Sequence, residues 1–284
     1  MRRKTVAKEI TYEGIGLHKG ELIKIKLIPV TEKTGIIFKR VDLKEGENEV
    51  IMNLENTFDL TRGTNLKNKY DAKIHTIEHF LSTLAIFEIT DLMVEIDGNE
   101  LPIGDGSAKI FGELIRDTGT CDLNFYIEEL VITEPIYLTK GDKHIVALPY
   151  DGFKITYTIK FDHTFLKTQM LEIDLNKVNY LEEIAPARTF GFDYEIEYLR
   201  KNNLALGGTL DNAIVINKDG INNPSGLRFE DEFVRHKILD IIGDLKVINR
   251  PIKGHIIAIK AGHALDIEFA KLLTKQHFSK KKDK

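Results

Sequence analysis

Val234-Arg235-His236-Lys237-Ile238-Leu239-Asp240-Ile241-Ile242-Gly243-Asp244 sets the architecture, because it carries two opposed stripes at helical spacing. Val234, Ile238, Ile241, Ile242 and the following Leu245 recur on one side, which predicts a helix from about 230 to 247. His236, Asp240 and Asp244 fall at i, i+4 and i+8 on the other side. Downstream, His255-Ile256-Ile257-Ala258-Ile259 reads as a strand, Ala261-Gly262 as a turn, and Ala264 to Leu273 as a second helix. The same order recurs near residues 72–115. There Ile74, Ile77, Phe80, Leu81, Leu84 and Ala85 share one face of a helix expected over about 72–87. Asp91 to Ile96 follows as a strand, Asn99 to Gly106 as a turn, and Ser107 as the cap of a helix through Leu114. This echo predicts an α+β protein of two similarly built domains, each a mostly antiparallel sheet with a helix pair, with the site between them.

The rest of the chain fits that frame. Leu22-Ile23-Lys24-Ile25-Lys26-Leu27-Ile28 alternates as a half-buried strand, and Gly35-Ile36-Ile37-Phe38 reads as its neighbour. Short strands and loops are expected between about 42 and 70. In the second half, Leu130-Val131-Ile132, Ile145 to Leu148 and Ile155 to Ile159 read as strands. The expected division is an N-terminal domain over 1–118, a linker over 119–126 and a C-terminal domain over 127–284. A segment inserted at about 193–216 carries a short helix and strand around Gly207-Gly208.

Composition excludes several classes. A chain of 284 residues with 42% hydrophobic and 30% charged residues is an ordinary globular balance. A net charge of -4 gives no electrostatic footprint for nucleic acid. The one basic run, residues 280–284, reads as a solvated tail. Cys121 is the only cysteine, so no intrachain disulfide forms and a metal site must use His, Asp or Glu. No apolar stretch follows the basic start Met1-Arg2-Arg3-Lys4, and none reaches the roughly 20 residues of a membrane span. A cytoplasmic monomer is expected.

Four stretches can carry chemistry. His75, Glu78 and His79 match the letters H-x-x-E-H, in which both histidines would ligate zinc and Glu78 would be the base. His236 and Asp240 lie one helical turn apart and can share one ion. His263 sits between a strand and a helix mouth, a position suited to a general acid or an anion contact. Thr189, in Ala187-Arg188-Thr189-Phe190-Gly191-Phe192, offers a hydroxyl to a developing oxyanion. Spacing alone fits solvated polar helix faces equally well, and a non-catalytic binding protein with a ligand groove is the alternative from another class. A catalytic zinc takes three protein ligands and a water, so a pair from one helix and a histidine from another make a sensible set.

Taken in order along the chain, these stretches resemble a known family. The strings are Gly14-Ile15-Gly16-Leu17-His18, Ile74 to His79, Pro102-Ile103-Gly104-Asp105-Gly106-Ser107, Ala187 to Phe192, Leu206-Gly207-Gly208, Asp231 to Asp240, Asp244-Leu245 and Gly262-His263-Ala264-Leu265. They resemble the UDP-3-O-acyl-N-acetylglucosamine deacetylases of lipid A biosynthesis, over about residues 5–275. The resemblance implies a hydrolase of a linear amide, removing acetate from a nucleotide-sugar that bears one hydroxyacyl chain. It implies His79, His236 and Asp240 as ligands of zinc, with iron(II) as the alternative, since both accept His and Asp. It implies Glu78 as general base, His263 as general acid or electrostatic stabiliser oriented by Asp244, and Thr189 at the oxyanion. Substrate contacts are implied for Lys237, Phe190, Phe192, Glu195, Leu206, Gly208 and Lys260. The insertion resembles the family's acyl-chain passage, where Ile196, Leu199, Leu204 and Leu206 suit a lipid tail. The resemblance alone selects His79 over His75.

Overall fold

The alternation in Leu22–Ile28 buries Ile23, Ile25 and Leu27 on one face, as a strand with a single wet side requires. In this computed structural model that strand belongs to a five-stranded sheet, ordered Ile10–Ile15, Leu22–Ile28, Leu92–Ile96, Ile36–Arg40 and Glu49–Ile51. Ile36–Arg40 is therefore not the neighbour of Leu22–Ile28. Leu92–Ile96 lies between them, antiparallel to one and parallel to the other. The second sheet runs Ile136–Lys140, Lys143–Leu148, Ile252–Ile259, Phe153–Ile159 and Gln169–Asp174, with Leu130–Val131 added beside the start of Ile252–Ile259. Its single parallel pair on the main path joins Phe153–Ile159 to Ile252–Ile259. In each half the last strand of the set takes the central place, so the echo seen in the sequence is a repeat of topology.

Among the described residues, six helices pack with these sheets: α1 (Glu78–Ile86), α2 (Lys109–Thr118), the single turn α3 (Lys177–Asn179), α4 (Asp193–Lys201), α5 (Glu232–Lys246) and α6 (His263–Lys282). The structure describes residues 1–282, with side chains through residue 279. The basic run expected as a solvated tail lies outside the described side chains. No helix among the described residues is long and apolar enough to cross a membrane.

Further expectations are corrected. Residues 72–77 are not helical: Lys73–Ile74 is a short strand, His75 bridges to Glu100, and Thr76 takes a left-handed φ of 56° that no helix tolerates. The helix begins at Glu78, so His75 and His79 are not one turn apart. The expected linker, residues 119–126, contains a strand, Thr120–Tyr126, antiparallel to Arg2–Val6. The polar helix faces are not solvated. In α1 only Ala85 escapes full burial, and in α5 only Arg235 and Lys237 do. The reason is a close crossing: a Cβ on Gly243 of α5 would lie 2.0 Å from the Glu78 carbonyl oxygen of α1. Ser107 does serve α2, accepting from the Lys109 amide at 3.2 Å, although Ala108 occupies the cap position. The last helix runs past Leu273 because neither Gly nor Pro follows to stop it.

Candidate metal centre

The α1–α5 crossing carries the site. His79 lies in the first turn of α1, while His236 and Asp240 share one face of α5. Each offers a ligand atom within 4.8 Å of the others'. Asp240 Oδ1 is 3.3 Å from His236 Nε2 and 3.8 Å from His79 Nε2. His236 Nδ1 donates to the Ala187 carbonyl at 3.1 Å, which leaves Nε2 as a lone pair aimed at Asp240. Asp240 Oδ2 accepts from Lys237 Nζ at 2.6 Å, but its buried Oδ1 has no hydrogen-bond partner.

Three lone pairs thus converge where a buried polar atom needs a partner. Their protonation states agree with one. Burial, reinforced by His236, pushes the His79 imidazole down to about 3. Burial also lowers His236. Burial works against the Asp240 charge, yet His236 and Lys237 outweigh it and hold the carboxyl well below its usual range. Two neutral imidazoles and one carboxylate are the donor set of a divalent transition metal, and three ligands leave a position open. The residues fit the ion.

Around them lies a cleft of about 690 Å³. Glu78, Thr189, Phe190, Phe192, Glu195, Lys237 and His263 all line it with the three ligands. Glu78 Oε2 accepts from the Thr64 amide at 2.9 Å, and Gly63 gives room for the carboxylate, since a Cβ there would meet Oε1 at 3.0 Å. Burial, with help from Asp244 and Asp240, pushes the Glu78 carboxyl up to about 7, into the range of a base at neutral pH. His263 Nδ1 donates to Asp244 Oδ2 at 2.8 Å, and the other Asp244 oxygen accepts from the Thr64 hydroxyl. Burial disfavours the His263 charge, but Asp244 outweighs it and lifts the imidazole to about 10. Thr189 is fixed by its backbone, donating to Gly106 and accepting from Ile214 at 2.7 and 2.8 Å.

A second cavity, of about 260 Å³, shares Leu17, Arg62, Thr189, Phe190, Phe192 and Glu195 with the cleft. Ile196, Leu199, Gly208, Leu210 and Ile214 line its far end, so its wall is mainly apolar. Leu206 and Lys260 line neither cavity. Leu206 is 49% exposed, and Lys260 pairs with Asp142. His75 stands apart from the ligand cluster, edge-on to Phe58, and burial pushes it down to about 4.

The sequence as a whole was also compared with known proteins. The family model for LpxC, UDP-3-O-acyl N-acetylglycosamine deacetylase, covers residues 3–275. The chain belongs to this family. The UDP-3-O-acyl-N-acetylglucosamine deacetylase of Thermodesulfovibrio yellowstonii is 44% identical over 272 residues, 95% of this chain and 91% of that one. Proteins of the same name from Leptospira biflexa and Neisseria meningitidis are each 42% identical, covering 97% and 94% of this chain and 91% and 88% of theirs.

In this LpxC-family chain, several site residues had no legible signal. Thr64, Arg62 and the Ala187 carbonyl come from irregular segments, where spacing says nothing. Lys140 and Lys143 reach the cleft from the tips of two sheet strands. Arg188, beside the noted Thr189, forms a buried pair with Glu232, Nε to Oε1 at 2.8 Å, which ties the Ala187–Thr189 segment to the start of α5. An arginine next to a motif threonine and a glutamate opening a helix were both visible, but nothing paired them.

Proposed function

We propose that this protein is a zinc-dependent deacetylase that hydrolyses the N-acetyl amide of UDP-3-O-[(R)-3-hydroxyacyl]-N-acetylglucosamine in lipid A biosynthesis. The observation that carries the reading is the convergence of three unprotonated donors from α1 and α5 beside Glu78 and His263. His79, His236 and Asp240 would hold a zinc ion, which would supply a Lewis acid for the amide carbonyl and lower the pKa of water toward about 7; iron(II) suits the same donors.

The chain's own residues do the rest. Glu78, ionised beside Thr64, takes a proton from the attacking water. The Thr189 hydroxyl donates to the oxygen that gains charge as the carbonyl becomes tetrahedral. His263, kept protonated by Asp244, passes its Nε2 proton to the leaving nitrogen as the C–N bond breaks and acetate departs. Lys237, held between Asp240 and the Phe190 face, would contact the substrate near the metal or its phosphates. Arg62, Lys140 and Lys143 give the cleft a cationic lining suited to a diphosphate. Phe190, Phe192, Glu195 and Gly208 border the route to the apolar cavity, which suits the acyl chain. The reading takes residues 1–118 and 127–284 as two domains with the site between them.

The test is Glu78→Gln. Zinc content equal to that of the wild type and a rate of acetate release lower by about two orders of magnitude or more are expected. Full activity in that variant would remove Glu78 from the base role and this mechanism with it.

A further inference from the structure

Asp266 lies three residues after His263, in the first turn of α6, and is 1% exposed. Its backbone amide donates to the Gly262 carbonyl at 3.0 Å, which seats the turn. Neither of its side-chain oxygens meets a donor among the described residues. The group it faces at hydrogen-bonding range is Asp244, itself fully buried. Asp244 already accepts from His263 and from Thr64. Two carboxyl groups in contact are both acceptors, so their approach is favourable only when one carries a proton. Asp244 already receives two donors, so the proton between the two carboxyl groups belongs on Asp266. The first turn of a helix favours an anion, but that preference is weak beside a second carboxylate in contact.

We propose that Asp266 donates a hydrogen bond to Asp244 from a neutral carboxylic acid and so positions the Asp244–His263 pair. The groups that face it come from three helices and a strand. On α5 these are Lys237, Asp240 and Asp244, with Lys237 already engaged by Asp240. From α6 comes His263, whose Nδ1 is given to Asp244. On α1 Glu78 faces His263, and on strand Phe153–Ile159 the buried Tyr157 hydroxyl lies in the field of Asp266. His263 and Lys237 favour an ionised Asp266, but among the described residues each is engaged elsewhere, His263 with Asp244 and Lys237 with Asp240. Burial and the Asp244 charge both push its carboxyl well above the usual range. The acid then holds Asp244 in one rotamer and draws off part of its negative charge, which moderates the proton affinity of His263.

The proposal rests on the deacetylase reading for the role of His263, and its test separates the two. The pH profile of acetate release is measured for zinc-loaded wild type, Asp266→Leu and Asp266→Asn. Removing the donor leaves Asp244 a stronger partner for the imidazolium. Asp266→Leu should therefore lower kcat and move the alkaline limb upward by about one unit, the effect of one hydrogen bond to a charged group. Asp266→Asn retains an N–H donor and should bring the limb back. An ionised Asp266 predicts the opposite sign, a fall of the alkaline limb in both variants, and that result overturns the proposal. An unmoved limb in Asp266→Leu overturns it too. Should Asp266→Leu fail to fold, the infrared difference between wild type and Asp266→Asn decides: a carbonyl stretch of a protonated carboxylic acid is expected, and its absence contradicts the assignment. That spectrum reads Asp266 even where the enzyme releases no acetate, an outcome that would defeat the deacetylase reading alone.

Discussion

Asp244 and His263 show how far a residue's role depends on its neighbours. A histidine at a helix mouth is an ordinary surface feature, and the i+8 position of Asp244 placed it on a polar stripe. Contact between them makes a buried ion pair with a definite pH signature. The imidazole rises from 6.5 to about 10 on folding, so the folded state binds the proton more tightly. The stabilisation is fully present below 6.5 and is lost as pH rises through about 10. Asp244→Asn should thus destabilise the metal-free protein most at pH 6, with the gap to wild type narrowing toward pH 10. Urea unfolding at the two pH values checks this, and a gap independent of pH would exclude a charged pair. The three donors were unequally legible at this scale. His236 and Asp240 were paired by their spacing of four. His79 was not, because spacing offered His75 as readily, and only the break at Thr76 takes His75 off the helix.

At the scale of elements, one glycine controls the site. Gly243 lets α5 cross α1 closely enough that a Cβ would sit 2.0 Å from a backbone oxygen, which cannot rotate away. Gly243→Ala must push the helices apart, and overpacking of this kind costs about 1–3 kcal/mol or more. Because His79 rides on α1, and His236 and Asp240 on α5, the same shift would spread the three donors. Lower stability in urea together with weaker zinc binding is expected, and unchanged zinc affinity would uncouple the crossing from the site. The helices themselves were readable from apolar periodicity, α5 almost to its ends. Their crossing was not, since a glycine in a helical pattern signals only a cost of propensity. The strand Thr120–Tyr126 was missed for a related reason. Its pairing partner is Arg2–Val6, at the far end of the chain, and the local Thr118-Gly119-Thr120 turn chemistry dominated the reading.

For the whole molecule, the repeated topology explains why a site arises at all. Two similar sheets each bring a helix to the centre, α1 and α5, and the donors meet where those helices cross. The order of elements announced this repeat, whereas the strand order inside each sheet depended on long-range pairing. The apolar cavity beside α4 carries a prediction for the whole molecule. Leu199→Trp fills part of its 260 Å³. Excluding two methylenes of an acyl chain, at about 0.8 kcal/mol each, weakens binding roughly tenfold. The expected result is a higher KM for a long-chain substrate with kcat preserved, and no change for a short-chain analogue. Equal effects on both would place the chain elsewhere.

The central claim is that His79 of α1 completes a metal site with His236 and Asp240 of α5 and that this site removes acetate. Acetate release from UDP-3-O-acyl-N-acetylglucosamine by zinc-loaded wild type and zinc-loaded His79→Ala tests it most directly. The account predicts turnover by the wild type and loss of both bound zinc and activity in the variant. Equal rates in the two, or no acetate from either, would contradict it.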